Sequence, residues 1–389
     1  MPARRTTVAA LVALALLTAG CSGDDPAPPG RDASSTPPSS VSTPPSPSGT
    51  TPPTAAPTSP SAGAGRVLTP KVAGVVARDL DVPWGLAFLP DGSALVSERD
   101  TGLVKAVTRS GRVRTVGRVG GVDGRGEGGL LGLALSPSYP TDRALFAYFT
   151  AGDENRIARM TYDGQALSGQ RTIFGGIPAG GIHNGGRIAF GPDGFLYVGT
   201  GEAGLRDPAQ DRSSLGGKIL RITADGKPAP GNPFGDSPVY SYGHRNVQGL
   251  AWDAQGRLWA SEFGQNTWDE LNLIRPGRNY GWPRVEGRAR DPRYVDPVRQ
   301  WSTDEASPSG VAVAGNAVYL AALRGARLWQ VPLPAGRPGT SRAFLTGDYG
   351  RLRTVALAPD GSLWVMTSNR DGRGSPRSGD DKIIRLTLS

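Results

Sequence analysis

Beyond residue 66 the apolar residues fall into short alternating runs broken by Gly, Asp and Pro, and no stretch sustains the three-four spacing of a long helix. One pattern recurs: an apolar run, a tight turn, a second apolar run. It reads GLAFLPDGSALVSE from 85, GLALSPSYPTDRALFAYF from 132, RIAFGPDGFLYVGTGE from 187, GLAWDAQGRLWASE from 249, GVAVAGNAVYLAAL from 310 and TVALAPDGSLWVMTS from 354. Each copy is a hairpin signal, two strands rich in β-branched and aromatic residues around a turn that favours Asp-Gly. The copies stand roughly 45 to 60 residues apart, the length of a four-stranded propeller blade. Six copies predict an all-β domain over residues 67–389, a six-bladed β-propeller of four-stranded antiparallel blades.

The first 66 residues follow a different pattern. Arg4 and Arg5 precede the apolar run VAALVALALL, which is too short for a spanning helix and ends at TAGC. This predicts a lipoprotein signal peptide over residues 1–20, with Cys21, the only cysteine, lipidated on export. The protein would then be anchored to the outer face of the bacterial cell membrane through that lipid alone; ordinary secretion with an unmodified Cys21 is the alternative. Residues 21–66 are dominated by Pro, Ser and Thr and have little apolar surface to bury, which predicts a disordered linker. Such a segment could reach on the order of 100 Å.

Charge and composition narrow the partner. The net charge is +9, but only five of the 43 basic residues are lysine and no basic run is interleaved with aromatics, so nucleic acid is not an expected partner. No strand–GxGxxG–helix unit is present to hold a nicotinamide dinucleotide. The chain has two histidines, His183 in GGIHNGGR and His244 in YGHRNVQG, four and five residues ahead of the third and fourth copies. Equivalent loops of neighbouring blades place both on one rim of the channel, where propellers build ligand sites. The glycines around His183 suggest a flexible segment that lets backbone and ligand approach closely. On local sequence alone, a surface histidine in a glycine-rich turn is the commoner outcome.

Seven stretches in order carry a more specific resemblance: DVPWGLAFLPDG, GEGGLLGLALSP, HNGGRIAFGPDGFLYVGTGE, SLGGKILRI, YGHRNVQGLAW, DELNLIRPGRNYGWP and RLRTVALAPDG. From about Leu80 to Leu386 the chain resembles the soluble pyrroloquinoline quinone (PQQ)-dependent sugar dehydrogenases, the glucose/sorbosone dehydrogenase family. The resemblance implies oxidation of an aldose at its anomeric carbon to a lactone, with hydride passing to PQQ. His183 matches the family's catalytic histidine, which takes the hydroxyl proton. An imidazole suits that task because its ordinary pKa of ~6.5 lies near working pH. Ile182 stands where glucose-specific members carry Asp, and Glu202 matches a second carboxylate able to orient the ring. Arg245 and Asn246 match residues beside the quinone carbonyl, with Arg245 stabilising charge as hydride arrives and Val247 replacing Pro.

The same resemblance assigns the rest of the site. Arg351 and Arg353 match a pair that grips the cofactor carboxylates; two apart on a strand, they share a face and want an anion between them. Arg324 stands where the family has Lys and Glu127 where it often has Gln, both at cofactor-contacting positions. Calcium is implied as well, a hard cation that takes oxygen ligands. The carbonyls of Gly264 and Gln265 match one site, in a loop where Phe263 and Gln265 replace His and Pro. The Glu270 side chain and the Tyr280 carbonyl match a second.

Two other readings stay open on the residues. A lactonase-type propeller, with a metal held by Glu, Asn and Asp, has the same fold but no need of His183, Arg245 and the RLR pair. A surface-displayed sugar-binding propeller without catalysis would accommodate Glu127, Ile182 and Phe263.

Overall fold

The computed structural model describes residues 66–389. The expected signal peptide, Cys21 and the linker up to residue 65 lie outside the described residues. Within them the chain forms six four-stranded antiparallel sheets arranged as the blades of a propeller. The first strands of the blades, Pro83–Phe88, Leu130–Leu135, Ile188–Phe190, Val247–Trp252, Pro308–Ala314 and Leu352–Leu357, each touch the next around a closed ring. All six recurring hairpins form the first two strands of a blade, so local hairpin chemistry sets the repeat. In the second copy, SPSYPTDR turns through a short helix, Tyr139–Asp142, which Arg143 ends in the left-handed region at φ 51°.

The ring closes by combining the two ends of the domain. The last blade takes three strands from the C-terminal part and its outermost strand, Pro70–Ala77, from the N-terminal part. That strand pairs with Ile383–Leu388 in the register Pro70↔Leu388 and Val72↔Leu386. Unzipping this one blade would expose two sheet edges at once, a cost that holds the ring shut.

Apolar burial lies between blades. Leu95, Leu145 and Phe149 pack blade 1 on blade 2, Tyr148, Leu196 and Val198 blade 2 on blade 3, and Tyr319, Leu352 and Val365 blade 5 on blade 6. Most blade strands are therefore apolar on both faces, unlike a sheet with one wet side. At one register the inner strands depart from this. Four of the six copies carry glycine there, Gly85, Gly132, Gly249 and Gly310, and a Cβ at Gly132 would lie 2.2 Å from the Gly186 carbonyl oxygen. The other two copies carry Arg187 and Thr354, whose side chains enter the space that the glycines leave.

Candidate active site

His183 belongs to the loop between blades 2 and 3, and the structure pins this loop where composition suggests flexibility. Asn184 holds Gly180 through both its amide oxygen and its amide nitrogen, at 3.1 and 2.8 Å. Tyr148 donates its hydroxyl to the Asn184 carbonyl at 2.8 Å, and the Gly185 N–H donates to Asn246 Oδ1 at 2.9 Å. His183 itself has φ 57°, a left-handed backbone that a residue with a Cβ rarely adopts. A Cβ at Gly201 would lie 1.8 Å from the His183 carbonyl oxygen, so the facing strand end must be glycine for this loop to lie down.

Glu202, one residue beyond that glycine, orients the ring. Its Oε1 meets His183 Nδ1 at 2.5 Å, while Oε2 accepts the Arg206 N–H at 2.7 Å. Burial alone would raise this carboxyl, but the hydrogen bonds from His183 and Arg206 and the charges of His183 and Arg245 outweigh it and hold Glu202 below its ordinary range. An ionised Glu202 accepts a proton donated from Nδ1, which leaves the lone pair on Nε2. Among the described residues Nε2 has no partner. Glu202 thus fixes the ring with Nε2 left able to accept a proton, and Ile182, half exposed, takes no part in aiming it.

The Glu202 loop has its own anchor. Lys218 is fully buried, and its Nζ donates to the carbonyls of Pro208, Ala209 and Gly216 at 2.6, 3.2 and 2.6 Å. One side chain so ties the middle of the segment that follows Glu202 to its end.

A cavity of about 210 Å³ is lined by Trp84, Arg99, Glu127, Gln248, Arg351, Arg353, Asp371 and Arg373 among others; neither His183 nor Glu202 lines it, and Glu127, which accepts the His183 N–H, joins it to the histidine loop. Arg351 and Arg353 share one face, and the anion between them is Asp371. Its Oδ2 takes Arg351 Nη2 at 2.9 Å and Arg353 Nη2 at 3.5 Å. Arg353 also donates to Gln248 Oε1 at 2.9 Å, yet its buried Nε has no partner. Burial pushes its guanidinium down to about 9. Arg187, wedged against the Trp84 ring at 4.3 Å, is pushed down to about 9 by burial and by Arg353. Two buried cations, one with a spare donor, describe a pocket that favours an anionic, hydrogen-bonding guest.

The other expected residues fall as follows. Arg245 is buried and held by Gln265 Oε1 and the Phe263 carbonyl at 3.1 and 3.2 Å, with Trp282 beneath its guanidinium. Burial lowers its value, against the pull of Glu202 and other acids. Asn246 spends its oxygen on Gly185 and keeps a buried Nδ2 without a partner. Glu127 lines the cavity, its Oε2 accepting the His183 N–H at 2.9 Å. Arg324 is not brought in: 63 % exposed, it pairs with Asp304 at 2.6 Å, while its neighbour Leu323 lines the cavity.

In the Gly264–Gln265 loop, the N–H groups of Gln265, Asn266, Thr267 and Trp268 all donate to Glu286 Oε1, at 2.7 to 3.0 Å. Trans peptide geometry then turns the Gly264 and Gln265 carbonyls away from that carboxylate, free to take a cation. Glu270 accepts from the Gly287 N–H and from Asn272 at 2.7 and 2.9 Å. It pairs across the sheet with Glu262. Burial and the facing Glu262 push Glu270 up to about 8, a strain that a divalent cation would relieve. Among the described residues no three His, Cys, Asp or Glu side chains converge as a metal cluster, so a cation here would depend on carbonyl oxygens.

His244 corrects the expectation of two histidines on one rim. It is fully buried, with Nδ1 on Glu262 Oε2 at 2.5 Å, Nε2 on Ser241 at 2.8 Å and its ring stacked on Tyr280. Its loop is equivalent to that of His183, but its side chain serves the blade interior. Sequence reasoning also passed over Asp371, Arg373 and Glu286, which sit in glycine- and arginine-rich turns without a pattern of their own. Trp84 and Gln248 did carry a signal, since both lie in the quoted motifs.

Comparison with known proteins gives the family. The sequence model of the glucose/sorbosone dehydrogenase family matches residues 80–384. The aldose sugar dehydrogenase of Escherichia coli K12 is 30% identical over 344 residues, covering 78% of this chain and 92% of that protein. The PQQ-bound aldose sugar dehydrogenase of Streptomyces coelicolor superposes with a TM-score of 0.82 at 57% identity, over 84% of this chain and 100% of that one. The apo form of the soluble E. coli enzyme gives 0.72 at 27% identity, over 83% and 99%.

Proposed function

This chain belongs to the glucose/sorbosone dehydrogenase family, and from that membership we propose that it is a PQQ-dependent sugar oxidoreductase converting aldoses into lactones. The observation that carries the reading is the His183–Glu202 pair, joined through Glu127 to a cavity where arginines outnumber acids. The aldose anomeric hydroxyl gives its proton to His183 Nε2 as the C–H bond breaks, and Glu202 stabilises the imidazolium that forms. When bound, PQQ supplies the acceptor for the hydride leaving that carbon. Arg351 and Arg353 would hold its carboxylates, and the unpartnered Arg353 Nε and Asn246 Nδ2 are donors that such a guest satisfies. Arg245 would stabilise negative charge on the bound quinone. The carbonyls of Gly264 and Gln265 would hold one Ca²⁺, and Glu270 with the Tyr280 carbonyl a second.

The test is reconstitution. Apo-protein given PQQ and Ca²⁺ is expected to reduce an artificial dye when an aldose is added, and chelation is expected to stop it. Sugar binding without dye reduction would instead support the binding propeller. Lactone hydrolysis without PQQ would support the lactonase.

We further propose that residues 1–20 direct export and that Cys21 carries a lipid anchor at the cell surface, with residues 21–66 as the spacer. This rests on the basic end, apolar run and small-residue stop before Cys21. Cys21→Ser should release the protein from membranes, and a chain starting at Arg66 should keep its melting temperature.

A further inference from the structure

The left-handed backbone of His183 is held from the neighbouring loop. Glu127, in the loop that enters blade 2, meets the histidine loop twice. Its own N–H donates to the Gly181 carbonyl at 3.0 Å, and its Oε2 accepts the His183 N–H at 2.9 Å. The two loops lie so close that a Cβ at Gly126 would stand 2.3 Å from the Gly181 oxygen. The second carboxylate oxygen of Glu127 pairs with Arg373 Nη1 at 2.8 Å. Arg373 comes from the loop after Leu363–Thr367 in blade 6, two residues beyond the Asp371 that joins Arg351 and Arg353.

We propose that Glu127 and Arg373 are positioning residues, a clasp that fixes the His183 backbone and so the aim of its Nε2. The proposal rests on the reading of His183 as the base and assigns Glu127 to the histidine loop ahead of any contact with cofactor. A carboxylate suits the clasp because it accepts from two donors at once, an amide N–H on one oxygen and a guanidinium on the other. An amide side chain has one accepting oxygen and would turn its NH₂ towards one of these donors. The acid at position 127 and the arginine at position 373 therefore belong together. The clasp also links the histidine loop to the loop that neutralises the arginine pair, so both sides of the site are fixed to one element of blade 6.

Hydrogen exchange of the full chain reads the clasp without any turnover. Glu127→Ala should raise exchange of the His183 amide by ~10-fold or more, since its acceptor is gone and the strained loop can open locally. Turnover should fall with kcat rather than KM, and PQQ affinity by titration should change by less than about threefold. Glu127→Gln keeps one accepting oxygen and should recover most of the amide protection lost in the Ala variant. Arg373→Met, which removes a pair 60 % exposed on the arginine side, should show the same pattern at about two- to fivefold. Unchanged exchange at His183 in both Glu127→Ala and Arg373→Met overturns the proposal. So does a loss of PQQ affinity that matches the loss of kcat, which would make Glu127 a cofactor ligand. Because exchange does not depend on catalysis, a failure of His183 as base and a failure of the clasp are separate results.

Discussion

Arg187 of blade 3 and Thr354 of blade 6 meet inside the channel, the guanidinium Nη2 donating to the threonine Oγ1 at 3.1 Å. Thr354 passes the bond on to the Trp84 carbonyl at 2.7 Å, and Arg187 Nε donates to the Gln248 carbonyl at 2.8 Å. Four inner strands are joined by this one network, within reach of the Arg353 charge. Among the described residues no carboxylate pairs with Arg187, whose recorded partners are a carbonyl and a hydroxyl.

Arg187→Met should therefore act on the cofactor more than on the fold. Removing one buried positive charge near a bound carboxylate costs about 1–3 kcal/mol at an effective dielectric near 20, so PQQ affinity should drop by roughly 5- to 150-fold. A titration of apo-protein with PQQ checks this. Unchanged affinity would mean that the charge of Arg187 is not felt at the cofactor site.

Glu202→Gln separates aim from stability through pH. The folded-state value of Glu202 lies below its ordinary 4.5, so its ionised form contributes stability that is fully present above that pH. That contribution is lost as pH falls through the lower folded value. Gln cannot titrate, so the variant should be less stable at neutral pH and the two melting curves should converge in acid. Turnover should also fall by ~10²-fold, because the amide no longer fixes the proton on Nδ1. Parallel melting curves down to the acid limit would deny Glu202 this role.

Lys218→Met removes the ammonium that three carbonyls share. Leaving those acceptors buried without a donor should cost about 2–4 kcal/mol, read as a lower urea midpoint. The loss should be accompanied by faster proteolysis within residues 201–217, the segment that Lys218 ties down. A variant with wild-type stability would show that water replaces the ammonium without penalty.

The blades were legible because each hairpin is a local event: two runs and an Asp-Gly turn specify it without reference to the rest of the chain. The closing strand was not, since Pro70–Ala77 finds Ile383–Leu388 only once the ring exists. Within the site, ordered motifs singled out His183, Glu202, Arg245 and the Arg351–Arg353 pair; the structure joins His183 to Glu202 and, through Glu127, to the cavity that Arg351 and Arg353 line. Loop position alone did not separate His183 from His244, because equivalent loop positions do not fix which way a side chain turns. Glu262 and Ser241, distant or unremarked in sequence, draw His244 inward. Arg324 shows the same limit in reverse, where Asp304 holds it outside the cavity. Asp371 and Arg373 went unseen because their partners Arg351, Arg353 and Glu127 arrive from other turns of the chain.

In the proposed mechanism His183 takes the substrate proton while other residues hold the cofactor. Stopped-flow reduction of bound PQQ by an aldose, in the native chain and in His183→Gln, tests it most directly. PQQ affinity is expected to be unchanged and the reduction rate lower by ~10² or more in the variant. Equal reduction rates in the two proteins would contradict it.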